Sequence, residues 1–175
     1  NQLMEAGQID EAQAAADRLM ALSDNANDDI GRVIAHTANA HRLGVQGQHS
    51  ESLRLLERIE PVALRTNDAE ALWMFHLVRG HLQNTTGQFE PALGNMLKSL
   101  DFARQRPRQT EASRLPSLVN LGLIYMSMKN GDMSLKTIED AQVIARQLGA
   151  TQVLGTLHLN RGNVEAGRGS AAAAR

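Results

Sequence analysis

The chain has 175 residues, room for one ordinary domain or a short repeat array, and 42% hydrophobic with 21% charged residues is the balance of a folded chain rather than a disordered one. Eighteen Lys and Arg against nineteen Asp and Glu give a net charge of -1, with no basic half to hold nucleic acid or an anionic membrane surface. No cysteine is present, which excludes disulfides, thiolate metal sites and a cysteine nucleophile.

Only five aromatic residues occur, so the core is expected to draw on Ala, Leu, Ile, Val and seven Met, a palette that favours packed helices over strands. No apolar run approaches the roughly eighteen residues of a membrane-spanning helix, so no membrane insertion is expected. The chain opens on "NQLMEAGQ", without a signal peptide. It reads as a fragment of a longer, cytoplasmic protein.

In chain order, "GQIDEAQ" at 7–13 lies in a half unit, residues 1–25, that ends in the polar cluster "SDNANDD" at 23–29. A full unit over 27–66 follows, turning at "GQHSESL", 47–53. Its second helix contains Pro61, expected to kink it. "RTND" at 65–68 opens the unit 67–108, with Asp68 as N-cap, a turn at "GQFEPAL", 87–93, and Pro91 near a helix start. The basic stretch "RQRPRQT" at 104–110 leads into the unit 110–149, where Thr110 is a predicted N-cap and Pro116 lies near the helix start.

There, in "LVNLGLIYM", Leu118, Leu121 and Tyr125 recur at helical spacing and Gly122 lets a neighbouring helix come close. Leu135, Ile138, Ala141, Val143 and Ala145 then predict a second amphipathic helix, ending before "LGA" at 148–150. The truncated unit 150–175 is expected to turn at Gly169 and begin another helix at "GSAAAAR".

Three columns keep one register through these units. The turn column is Gly7, Gly47, Gly87, Lys129 and Gly169; seven residues before it stand the small residues Ala40, Gly80, Gly122 and Gly162; twelve after those stand Ser52, Ala92, Ser134 and Ala174, with Ala12 matching in the first unit. One register over the whole chain is an internal repeat, each unit an antiparallel helix hairpin that buries its apolar stripe only by stacking on its neighbours. "FARQ" at 102–105 and "IARQ" at 144–147 echo each other at the ends of second helices.

Leu118, Leu121, Gly122 and Tyr125 reproduce the spacing W-x2-L-G-x2-Y with Leu for Trp, and Ser134 with Ile138 matches A-x3-F. The chain resembles a tetratricopeptide repeat array over essentially its whole length, departing from it in a period of 40 to 42 residues and in lacking the closing proline. Long units of this kind are similar to those in sensory portions of bacterial diguanylate cyclases and large transcriptional activators. The resemblance implies an all-α solenoid, a right-handed superhelix whose concave wall is made of the first helices and binds a protein or peptide segment without catalysis. It equally fits a ligand-sensing or dimerisation input domain controlling an absent effector, with a homodimer contact through the exposed end unit.

The same resemblance implies partner-binding positions. His41, His81, Leu123 and Asn163 follow the small column by one residue; Asn120 and Asn160 precede its glycines by two and offer amides that bond a peptide backbone in both senses. Asn84, Thr37, Leu77, Val119, Met126 and Leu159 are expected on the same wall, which lacks a Lys and Arg cluster to clamp a terminal carboxylate. His41 and His81 read equally well as surface histidines. His36, His76 and His158 take the family's bulky packing position and are expected to pack between helices.

No metal site is expected, because His36 with His41 and His76 with His81 are five apart and diverge by about 140° around a helix. Arg79 and Arg161, in equivalent "RGH" and "RGN" contexts, are expected to make a buried pairing with an acidic neighbour or a helix end, in preference to touching a ligand. Arg104, Arg106 and Arg108 read as a solvated loop or a contact for an anionic partner. No phosphate loop, dinucleotide fingerprint, zinc-protease motif or nucleophile elbow occurs, so neither cofactor nor enzymatic activity is expected.

Overall fold

The computed structural model describes residues 11, 14–15, 17–23, 25–106 and 110–173, the last five as backbone alone. Every regular element among them is helical: α1 (Asp29–Val45), α2 (His49–Thr66), α3 (Ala69–Thr85), α4 (Phe89–Gln105), a 3-10 turn at Glu111–Arg114, α5 (Leu115–Ser127), α6 (Gly131–Gln147) and α7 (Thr151–Ala173). Residues 17–23 are helical too. The columns at Gly7 and Ala12, and Ala174, lie outside the described residues.

The "GQ" turns share one mechanism. After α1, the Gln48 amide donates to the Leu43 carbonyl and the Gly47 amide to the Gly44 carbonyl; after α3, Gln88 bonds Gln83 and Gly87 bonds Asn84; after α5, Asn130 bonds Tyr125 and Lys129 bonds Met126. This pair of bonds is the Schellman C-cap, which needs a left-handed residue in its middle. Gly47 and Gly87 supply it at φ 79° and 78°, and Lys129, without glycine's freedom, is held there at φ 58°.

The other two columns meet inside each hairpin. Ser52 Oγ donates to the Ala40 carbonyl and Ser134 Oγ to the Gly122 carbonyl at 2.9 Å, the same bond made in two hairpins. In the middle hairpin Ala92 takes the serine's place, fully buried, and a Cβ on Gly80 would stand 3.1 Å from the Ala92 carbonyl oxygen and 3.3 Å from the Met96 nitrogen. Small residues here are therefore a packing requirement, since the second helix passes with its backbone almost in contact.

Helix contacts follow chain order. α1 packs on α2, α3 on α4 and α5 on α6; the first helices touch in series, α1 with α3, α3 with α5, α5 with α7; and α2, α4 and α6 each touch the next first helix. Among the described helices, none reaches past the adjacent hairpin. Three apolar clusters fill the spaces: Val33, Leu56, Phe75 and Leu82 with their neighbours at one end, Met96, Leu121 and Ile124 in the middle, and Ile138, Ile144, Leu157 and Val164 at the other.

Several expectations are corrected. Asp68 caps α3 as expected, its carboxylate accepting from the Ala71 amide at 2.8 Å; Thr110 holds the N-cap position of the 3-10 turn but makes no side-chain cap bond, and among the described residues Asn130 also caps, accepting from the Met133 amide at 3.2 Å. Pro61 lies inside α2, which runs on to Thr66, and having no amide hydrogen it leaves the carbonyl of exposed Glu57 without that helical donor. Val143 is 51% exposed, with Ile144 buried in its stead, because the true helical stripe runs through Thr137, Ile138, Ala141, Ile144 and Ala145. There is no turn at Gly169, whose backbone continues α7; the "SAAAA" run that follows is strongly helix-forming.

Candidate functional site

The serial contact of α1, α3, α5 and α7 gives the expected site residues a shared setting. His41 stands exposed on α1 and His81 exposed on α3, while Asn120 on α5 is half-buried. Asn120 Nδ2 donates to the Pro116 carbonyl at 2.9 Å, which turns its Oδ1 toward His81 Nδ1, also 2.9 Å away. His81 Nδ1 therefore carries the hydrogen, leaving Nε2 with the lone pair in the neutral ring. His41 lies close enough to His81 to feel it: its pKa sits below the ordinary imidazole value, through desolvation first and His81 second. Polar groups thus run across three consecutive hairpins.

The remaining positions divide. Asn84, three residues beyond His81 on the same side of α3, is half-buried, and its buried Oδ1 has no partner among the described residues. Leu123 is half-buried, Asn163 exposed, and Asn160 buried at 8% exposure; among the described residues no hydrogen bond joins Asn160 or Asn163 to the run at His81. The amide of Asn120 is engaged inside the fold in both senses, so it meets a ligand with one remaining N–H and one remaining lone pair. Thr37 is fully buried, so it has no surface to offer a ligand; Leu77, Val119 and Met126 are half-buried, and Leu159 is 65% exposed.

Charges on these helices are partly paired: Arg32 with Asp29 at 3.0 Å and Arg79 with Glu60, whereas Arg42 donates to the neutral amides of Asn39 and Gln46 and keeps its charge. The α5 sequence, "LPSLVNLGLIYMS", has no charged residue at all. Arg79 also lies over the Phe75 ring, 5.7 Å from its centre, and Arg161 pairs with Glu139 at 3.4 Å and Glu165 at 2.8 Å. Arg79 thus makes the largely buried pairing expected of it, whereas the Arg161 pairs lie in the open, with its side chain 40% exposed.

Arg106 is neither solvated loop nor free contact: it makes a two-pronged bond to Glu70 and covers Trp73 at 4.1 Å, tying the end of α4 to the start of α3. Its 36-residue separation from Glu70 leaves no local sequence mark. Among the packing histidines, His76 is buried as expected, His36 is half-buried, and His158 is exposed beside Gln142 at 3.5 Å. A separate cleft of about 510 Å³ along α2, lined by Glu51, Arg54, Glu57 and Arg58, alternates in charge sign and gathers no catalytic set.

Among the described residues no group of three His, Asp or Glu side chains gathers to hold a metal ion, and no helix is long and apolar enough to cross a membrane. No family model matches the chain, and no curated protein matches it.

Proposed function

We propose that the chain is a binding module of tetratricopeptide type, a right-handed solenoid of hairpins whose first helices form a concave wall for an extended segment of a partner protein. Recognition there is non-covalent, with no chemistry of the chain's own, and belongs to a larger cytoplasmic signalling or regulatory protein. Nearest-neighbour helix contacts and the recurring Schellman turns support the solenoid. The observation that carries the binding role is the polar run of His41, His81 and Asn120 across three hairpins. Such a surface offers paired donors and acceptors to a peptide backbone, flanked by apolar Leu77, Val119 and Met126.

A displayed peptide library tests this. Peptides selected on the wild-type chain should lose at least about tenfold in affinity for the His41→Ala, His81→Ala, Asn120→Ala triple variant, roughly 1.4 kcal/mol, while helicity is retained. Equal binding to both would sink the wall reading. A second reading, an input domain that senses a ligand or dimerises, is favoured by the open face of α7, where Leu159 is 65% exposed and no described atom lies within 4 Å of a Cβ placed on Gly162. Sedimentation over a wide concentration range decides it: association supports dimerisation, and a monomer throughout counts against it.

A further inference from the structure

The ring of His76 is 3% exposed between α3 and α4, and its hydrogen bonding is fully directed. Asn95 Nδ2 donates to Gln83 Oε1 at 2.8 Å and to the Pro91 carbonyl at 3.1 Å, which fixes the amide so that Oδ1 faces His76 Nδ1 at 2.7 Å. Nδ1 therefore holds the hydrogen of the neutral ring, and a second proton has only Nε2 to occupy. Phe102 stacks on the ring, 5.7 Å between centres and 2° from parallel, and Phe75 meets it edge-on at 5.2 Å.

The ionisable groups facing this ring oppose a positive charge on balance. Arg79 on α3 itself and Lys98 on α4 are both cations. Among the described residues, Glu60 on α2 is the carboxylate acting on it, and Glu60 is already bonded to Arg79.

We infer that His76 is an acid-sensitive latch on the α3–α4 hairpin, closed while its ring is neutral and released when the ring takes a second proton. The geometry supplies both halves of the device. Closed, the ring bonds Asn95, which in turn bonds Gln83, and stacks on Phe102; charged, it would put a positive charge into a buried site where Lys98 and Arg79 already oppose one.

Its titration agrees in direction. Burial is the largest influence and lowers the ring's pKa; the Asn95 hydrogen bond comes next and raises it, then Lys98 and Arg79 lower it, and Glu60 raises it least, leaving a net lowering. A histidine lowered in the folded state binds its proton more readily when the packing opens. Closure is therefore fully favoured above the ordinary histidine value and is lost as pH falls below it. The inference does not depend on the binding wall.

Hydrogen exchange and ring NMR on the whole chain test it between about pH 7.5 and about pH 5. After correction for intrinsic exchange, opening of amides in α3 and α4 should rise about tenfold or more across that range, and the His76 ring should titrate below the ordinary value. His76→Phe, which keeps a stacking ring without a titrating nitrogen, should abolish the rise. Asn95→Asp covers the case in which the phenylalanine variant fails to fold: a carboxylate against Nδ1 should raise the ring's pKa and suppress acid opening. A ring titrating at the ordinary value, a rise that persists in His76→Phe, or acid opening unaltered in Asn95→Asp would overturn the latch.

Discussion

Gly80 and Gly162 stand in the same column of the repeat, yet their surroundings differ. A Cβ on Gly80 would press on the backbone of α4, at the Ala92 carbonyl and the Met96 nitrogen, and one on Gly122 would stand 3.2 Å from Ile138 Cγ1. Nothing described lies within 4 Å of the same atom on Gly162. A sequence column marks where a second helix is to be seated. The packing energy comes only where one is.

The contrast can be attacked from both sides. Met96 and Ile138, buried against the two occupied glycines, should each cost about 2–5 kcal/mol when cut to Ala, whereas Leu159→Ala on α7 should stay within about 0.5 kcal/mol, read as urea midpoints. A large loss at Leu159 would mean that α7 is covered after all. Ser134→Ala removes the buried bond to the Gly122 carbonyl and should cost about 1 kcal/mol.

The turns provide a reversed pair of smaller size. Lys129→Gly relieves a left-handed residue and should stabilise by about 1 kcal/mol, while Gly87→Ala should destabilise by a similar amount. The smallest expected effect is at His41. Its pKa is lowered in the folded chain, so its contribution is complete above the ordinary histidine value and fades as pH falls below it. His41→Gln should flatten that part of the melting temperature's pH dependence slightly, since the ring is exposed.

Packing was legible in the sequence where it repeats. The twelve-residue spacing from small residue to Ser or Ala marked an actual contact, and aligning Lys129 with Gly47 and Gly87 identified a left-handed residue that composition alone would not suggest. Gly169 misled because its column predicts a turn while the backbone there continues a helix. Val143 misled because alternate apolar residues imitate a stripe whose true period is 3.6.

The candidate site was legible only as positions. That His81 is bonded to Asn120 across 39 residues, that Asn95 fixes His76, and that Arg106 bridges to Glu70 depend on side-chain directions between helices, which no local pattern records. Thr37 and Leu159 are expected on one surface, yet Thr37 is fully buried and Leu159 is 65% exposed.

One measurement bears most directly on the repeated seating of second helices: urea unfolding of Gly80→Ala beside Gly162→Ala. Alanine gains about 1 kcal/mol of helix propensity at either site, so Gly162→Ala should raise the midpoint. At Gly80 the methyl meets backbone that cannot move without shifting α4, and overpacking of about 1–3 kcal/mol should lower it. Midpoints that shift together, in either direction, would contradict the claim that one seat is filled and the other open.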